Sequence, residues 1–297
     1  MEILGKEIRF HGRLIRIAYL DGEGYQFLED PQPASELLRT SGVRADLFTF
    51  IPKLTDTQRK YDFPIEWDNM AVLPVTTFDD WMARQISSRV RSIVRKTAKD
   101  GVVVREVPFD DQLIRGISEI YNESPVRQGR RFPHFGMDFE TLRKMKATFL
   151  ERSTFIGAFY EGSLIGFAKL VANEDGSQAG LMHILSMIQH RDKAPTNALI
   201  AQAVRSCADR GIPNLWYVKF FYGKKGHDSL AEFKRRNGFQ KVDLPRYYIP
   251  LTLAGRWGLR LGLHRDISEW VPQPMAATLR KVRSFWYEKR FPGFKAT

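Results

Sequence analysis

The stretch from Phe155 to Pro250 constrains this 297-residue chain most, because turns and apolar periods alternate along it in a single readable order. Two apolar, β-rich runs, Phe155 to Tyr160 and Leu164 to Val171, are broken at Glu161-Gly162-Ser163, so they read as a hairpin. Gly180 to about Ile188 supplies a third strand. Pro195 to Arg210 then carries Leu199, Ile200, Ala203, Val204 and Cys207 at helical spacing, with Pro195 suited to a first turn and Gly211 just past the end. Leu215 to Phe220 reads as a strand, and Ser229 to Phe239 as a short helix closed at Asn237-Gly238. The chain returns through two more strands, Phe239 to Val242 and Arg246 to Ile249.

The N-terminal third is less legible. Glu2 to Arg9 and Arg13 to Ala18 read as strands around the His11-Gly12 turn, and Asp46 to Ile51 and Ala71 to Val75 as two more. Asp30 to Pro33 and Lys53 to Pro64 are polar and turn-rich, so loops are expected there. Phe78 to Lys99 is expected as one long helix with Trp81, Met82, Ile86, Val90 and Ile93 on one face. No repeat and no low-complexity segment is present.

The element order resembles the GNAT acyltransferase superfamily and, within it, the Fem-like branch, whose peptidoglycan members move amino acids from aminoacyl-tRNA. Fem-like chains carry a basic helix end, matched here by Arg91-Ser-Ile-Val-Arg95-Lys96-Thr-Ala-Lys99-Asp-Gly101-Val102. They also place Phe-Lys before a terminal Gly-Phe or Phe-Gly, matched by Phe233-Lys234 and Gly238-Phe239, with Pro250-Leu-Thr following. The motifs span about Thr76 to Thr252. The resemblance implies an α/β fold with a GNAT-type mixed central sheet flanked by helices. It also implies three parts: a smaller, degenerate GNAT-like unit over 1–101, the acyltransferase domain over 102–252, and a helical basic tail over 253–297.

In such a fold the strand after the hairpin splays from its neighbour, and the acyl donor slots between them with its carbonyl on a strand amide. Those strands would be Gly180 to Ile188 and Leu215 to Phe220. Acetyl-CoA enzymes follow the first with Gln/Arg-x-x-Gly-x-Gly/Ala, whose free amides hold the pyrophosphate. This chain has Gln189-His-Arg-Asp-Lys-Ala-Pro-Thr-Asn197, with no glycine, which counts against an ordinary acetyl-CoA enzyme. Leu185, Ser186, His190, Arg191, Lys193, Thr196 and Asn197 remain the donor-binding candidates.

The acceptor side falls on the turn-rich segment Tyr121 to Gly136, where Tyr121, Arg127, Gln128, Arg130, Arg131 and His134 concentrate guanidinium, imidazole and aromatic groups. Guanidinium forks suit a phosphate, a carboxylate or a sugar nucleotide. A solvated basic loop is the plainer reading, and the position in the fold favours a substrate role. Candidates for proton transfer are His183 on the third strand, Tyr217 and Tyr222 on or just beyond its partner strand, and Lys234, linked in Fem-like enzymes to the transfer site. Glu123 and His134 are further bases. Each has a structural alternative: a satisfied strand histidine, or a surface lysine beside Arg235 and Arg236.

Composition bounds the rest. The hydrophobic content of 43% is enough for real cores, and the single cysteine, Cys207, excludes an internal disulfide. The start MEILGKEIRF lacks a basic segment followed by an apolar core, and no run approaches the ~20 apolar residues of a membrane span, so a cytoplasmic location is expected. No metal-ligand spacing, Walker loop, dinucleotide fingerprint or Gly-x-Ser-x-Gly elbow occurs. Of the net charge of +12, half comes from Leu251 to Thr297, where nine Lys/Arg face three Asp/Glu. That tail also holds Trp257, Trp270, Phe285, Trp286, Tyr287, Phe291 and Phe294, and Met275 to Arg290 shows helical spacing. Packing on the main domain is the first reading of this tail; contact with tRNA, another protein or the inner face of an anionic membrane is the second.

The expected activity is N-acyl transfer, forming an amide on an amine of a small-molecule or cell-envelope precursor. Acyl-CoA or an acyl-carrier thioester is the first donor, since no long charged helical arm is visible, and aminoacyl-tRNA is the runner-up. A non-catalytic module binding nucleic acid or anionic lipid is the alternative from another class, and a purely structural subunit the last.

Overall fold

The computed structural model describes residues 1–222 and 229–265. The N-terminal part holds β1 (Glu2–Ile3), β2 (Lys6–His11), β3 (Ile17–Leu20), α1 (Pro31–Thr40), β4 (Leu47–Phe50) and β5 (Ile65–Pro74). α2 (Phe78–Asp80), a π-turn over Trp81–Gln85, and α3 (Ser88–Lys99) then lead to β6 (Val103–Val107) and α4 (Asp111–Asn122). A minute hairpin, β7 (Val126–Arg127) and β8 (Arg130–Arg131), precedes α5 (Phe139–Lys146), β9 (Ser153–Tyr160), β10 (Ser163–Ala172) and β11 (Ala179–Ser186). α6 (Pro195–Asp209), β12 (Asn214–Lys219), α7 (Ser229–Arg236), β13 (Gln240–Pro250) and α8 (Leu253–Arg260) complete the described chain.

Eleven strands form one mixed sheet in the order β1-β2-β3-β4-β13-β5-β12-β11-β10-β9-β6. Among the described strands only the β3–β4 and β11–β12 pairs are parallel. The expected α/β class, a mixed sheet flanked by helices, is what the chain adopts. β10 reads as an almost unbroken apolar run because both its faces are covered. α6 packs Leu199, Ile200 and Val204 on one face, and α4 packs Ile114, Ile117 and Ile120 on the other. At the far end α1 lays Ala34 and Leu38 on Ile8, Phe48 and Tyr247.

Four sequence expectations shift. Asp30 to Pro33, expected as a loop, starts α1: the Asp30 carboxylate caps the amide of Gln32, and Pro31 occupies the first turn. The strand expected at Arg13 to Ala18 begins only at Ile17. The two closing strands are the single β13, paired with β5 along Gln240 to Tyr247. The long helix expected over Phe78 to Lys99 breaks at Ile86-Ser87, where Ser87 caps the amide of Val90 and starts α3 anew. The break exists because Trp81 is drawn into the core and its indole N–H donates to the Asn237 carbonyl at 3.0 Å. Removing that ring would cost about 3–5 kcal/mol. The aromatic and helical readings placed on Met275 to Arg290 lie outside the described residues, as does everything in the tail beyond 265.

Candidate functional site

β11 and β12 pair only at Ala179↔Leu215 and Gly180↔Trp216, then diverge, so the expected splay is present. Gly180 is required at its base, since a Cβ there would lie 2.3 Å from the Trp216 indole nitrogen. Each lip carries one extra residue. On β11 the register passes from Lys169↔His183 to Leu170↔Leu181, leaving Met182 as a bulge. On β12 it passes from Trp216↔Val72 to Lys219↔Met70. Val218 there has φ +49°, left-handed backbone that a β-branched residue rarely adopts. A bulge moves the following side chains to the other face, so these two decide what the gap presents.

Tyr217, Tyr222 and Lys234 come together on the lip made by β12 and α7. The Lys234 ammonium is fully buried, donates to the Lys219 carbonyl, and lies 4.5 Å from the Tyr217 ring centroid and 5.5 Å from that of Tyr222. Aromatic faces stabilise a cation where water cannot. Burial, then the neighbouring Tyr222, pushes the Tyr217 hydroxyl up to about 12, so it stays protonated as a donor.

His183, Tyr121 and His134 come together on the opposite face of the sheet, around two lysines that the sequence reading did not single out. Lys146 is fully buried and donates to the Tyr121 hydroxyl at 2.6 Å. Lys169, also fully buried, donates to the Lys146 carbonyl at 2.8 Å and to that of Thr148, closing the C-terminal end of α5. His134 stacks on Tyr121 at 5.0 Å. Burial, then Lys169, brings the Lys146 ammonium down to about 7, and burial brings Lys169 to about 8. Burial, then Lys146, Lys169 and His134, brings His183 down to about 3. His183 is therefore a neutral imidazole and a weak base, and the two lysines are the groups here able to exchange a proton near neutrality, Lys146 at the lower pH. A lysine inside the apolar run Leu164 to Val171 was the visible sign of this cluster.

The loop after β11 is closed on itself. Glu123, just past α4, accepts the amides of Ile188 at 2.7 Å and Gln189 at 2.9 Å. The amides of Arg191, Lys193 and Ala194 donate to the carbonyls of Ile188, His190 and Arg191, in tight turns. Ser186 and Thr196 share a hydroxyl hydrogen bond of 2.9 Å, and Asn197 donates to the Asn237 side chain at 3.1 Å. Lys193 lies 5.0 Å from the Tyr160 ring centroid, and His190 packs at 5.7 Å on the same ring. Leu185 packs into the α4–α5 core, and Arg191 is exposed.

The three arginines of the acceptor segment do not act together. Arg127 is an internal brace, donating to the carbonyls of Ser186 and Ile120 and to Glu123 at 2.9 Å, 2.5 Å and 2.9 Å. Arg130 and Arg131 stand exposed on β8, and Gln128 is exposed at the tip of the hairpin, with φ +51°.

No protein-family model matches the chain, and no curated protein matches it. Solved structures do. The crystal structure of FemX superposes with a TM-score of 0.60 at 13% identity, covering 86% of each chain. L-PGS from Bacillus licheniformis gives 0.58 at 13% identity, over 81% of this chain and 80% of that one. A C-terminal DUF2156 domain assigned to a lysylphosphatidylglycerol synthetase from Agrobacterium fabrum gives 0.54 at 14% identity, over 86% and 84%. At such identities the likeness is one of fold alone, the fold shared by FemX and these two proteins.

Proposed function

We propose that this GNAT-like, Fem-related fold carries out acyl transfer with an aminoacyl ester of tRNA as donor, in preference to the CoA thioester that the sequence favoured. The observation that carries this reading is the closed loop after β11. A CoA pyrophosphate needs free amides at that turn. Here the first two already hold the Glu123 carboxylate, which would also repel a pyrophosphate. An aminoacyl ester needs only the gap and a cation for its carbonyl. The neighbour named for lysylphosphatidylglycerol synthesis supports an aminoacyl cargo.

In this reading the donor carbonyl enters between β11 and β12 on the Lys234 side. An acceptor amine attacks it; the C–N bond forms, the ester C–O bond breaks, and the ribose hydroxyl leaves with a proton. Lys234 stabilises the oxyanion, and Tyr217 or Tyr222 supplies the proton to the ribose oxygen. The acceptor approaches from the face that holds Tyr121 and His134, where Lys146 takes the proton released by the amine. Arg89, Arg95 and Lys99 on α3 are exposed, and among the described residues none is within ion-pair distance of a carboxylate, which suits tRNA phosphates.

The test is a thermal-shift titration with acetyl-CoA, longer acyl-CoAs and aminoacyl-tRNA, followed by release of labelled amino acid to amine acceptors. A ligand at a hundredfold excess over its dissociation constant stabilises by ~2.7 kcal/mol. Stabilisation by charged tRNA with amide formation is expected. Stabilisation by a CoA thioester alone would return the donor to that class, and binding of tRNA without turnover would leave a non-catalytic module.

A further inference from the structure

α8 is oriented the reverse of an ordinary surface helix. Its glycines face the protein: a Cβ at Gly255 would meet the Asp46 carbonyl oxygen at 1.8 Å, and one at Gly258 the Ile15 side chain at 2.6 Å. Leu259 packs inward on Ile15, Ile17 and Leu47, whereas Leu253, Trp257 and, at the helix end, Leu261 face outward at 71%, 58% and 60% exposure. Their spacing of four residues sets them in one stripe along the helix. The loop that packs beneath α8 adds Leu14, at 78% exposure.

The charge around the stripe has one sign. Residues 251–265 contain three arginines and no Asp or Glu. Arg256 and Arg260 on α8 and Arg13 beside Leu14 are exposed, and among the described residues none of the three is within ion-pair distance of a carboxylate. Arg260 lies 5.4 Å from the Trp257 ring centroid. Nearby Arg44 and Arg265 are, by contrast, paired with Asp46 and Glu66.

We propose that α8 and the Gly12–Leu14 loop dock this protein on an anionic phospholipid surface. α8 lies in the headgroup plane, Leu253, Trp257 and Leu261 enter the acyl boundary, and Arg13, Arg256 and Arg260 meet lipid phosphates. Three features favour a bilayer over a macromolecular partner. The stripe stands on a convex helix, not in a groove; glycines let the helix lie flush, so its bulk is presented outward; and guanidinium groups with no carboxylate partner among the described residues flank an exposed indole. The basic face of α3 lacks this combination, because none of the large exposed apolar side chains belongs to it. The docking surface is independent of the transfer chemistry.

The experiment is sedimentation of the full chain with vesicles of phosphatidylcholine alone and of phosphatidylcholine mixed with phosphatidylglycerol. Binding is expected only to the mixed vesicles. The double variant Leu253→Glu/Trp257→Glu should weaken it by more than about tenfold, since both side chains leave the acyl boundary. Arg256→Glu and Arg260→Glu should each weaken it by about fivefold or more. These residues are exposed, so circular dichroism should be unchanged, and Trp257→Phe should keep sedimentation while losing part of the indole blue shift on binding. Binding to neither vesicle, equal binding to both, or mixed-vesicle binding that the Leu253/Trp257 variant leaves intact, would overturn the proposal. RNA binding or self-association abolished by that variant, without vesicle binding, would assign the face to those partners instead.

Discussion

Glu123 and Arg127 are joined at 2.9 Å where α4 ends, and both reach across to the end of β11. The carboxylate takes the amides of Ile188 and Gln189, and the guanidinium takes the Ser186 carbonyl. One ion pair thus pins the lip of the gap to the helix beneath it. Glu123→Ala strips two amides and a largely buried guanidinium of their acceptor, so a loss of about 2–4 kcal/mol is expected. Glu123→Gln keeps one acceptor oxygen and should lose about half as much. Urea unfolding monitored by fluorescence measures both; a loss under about 0.5 kcal/mol for the alanine variant would show that the lip holds itself.

Lys234 is buried, and its ammonium is balanced by a carbonyl and two rings. Alanine there would remove packing as well as charge, so it cannot separate catalysis from folding. Lys234→Met keeps the volume, and replacing a buried ion by an apolar side chain is commonly neutral for stability. The expected outcome is a thermal midpoint within a few degrees of the parent and amide formation lowered about 100-fold. Unchanged turnover would remove Lys234 from the transfer site.

The lysine pair makes stability depend on pH on the alkaline side. Lys146 titrates at about 7 in the fold against an ordinary 10.5, and Lys169 at about 8. Between these values and 10.5 the unfolded chain binds more protons than the folded one, so stability rises with pH over that window. Above pH ~10 the buried phenols of Tyr25 and Tyr121, which hold their protons in the fold, reverse the slope. From pH 7 to 9 a gain of about 3–4 kcal/mol is expected, the larger part from Lys146. Lys146→Met should flatten the rise, and an equal slope in that variant would place the titration elsewhere.

Cys207 faces the core from α6 and is fully buried, and burial pushes its thiol up to about 12. Reaction needs both the thiolate and access. A thiol reagent at pH 8 should therefore leave the folded protein unlabelled for hours and label one site per chain at once in denaturant. Fast labelling of the native protein would mean that α6 opens locally from the sheet.

The order from β9 to β13 was legible because each element there has its own period and its own punctuation, as at Glu161-Gly162-Ser163 and Pro195. α1 was hidden because Asp30 and Pro31 suit a turn and a helix start equally well. The break before α3 was hidden because helical spacing continues through it, and only the distant Asn237 carbonyl draws Trp81 inward. The same holds at the site. Lys234 stood out within a motif, whereas the bulges at Met182 and Val218 arise from strand pairing, which local propensity does not encode. Glu123 reaches amides 65 and 66 positions away, so its role as an acceptor for a loop was invisible while its carboxylate suggested a base.

His183 shows how far such a contact changes chemistry. As a strand histidine it suggests a base near pH 7, but burial, and then two buried lysines and His134 around it, bring it down to about 3. At pH 5 to 8 it is neutral throughout and cannot shape a rate profile. Lys146, at about 7, can. If the amine acceptor loses its proton to Lys146, turnover rises as pH passes 7, because the base is active only once its own proton has gone. His183→Gln should keep that limb with its midpoint near 7, since burial and Lys169, not the neutral imidazole, set the Lys146 ammonium. Lys146→Met should abolish the limb. A profile whose acid limb disappears with His183→Gln, and persists in Lys146→Met, would restore the histidine as the base.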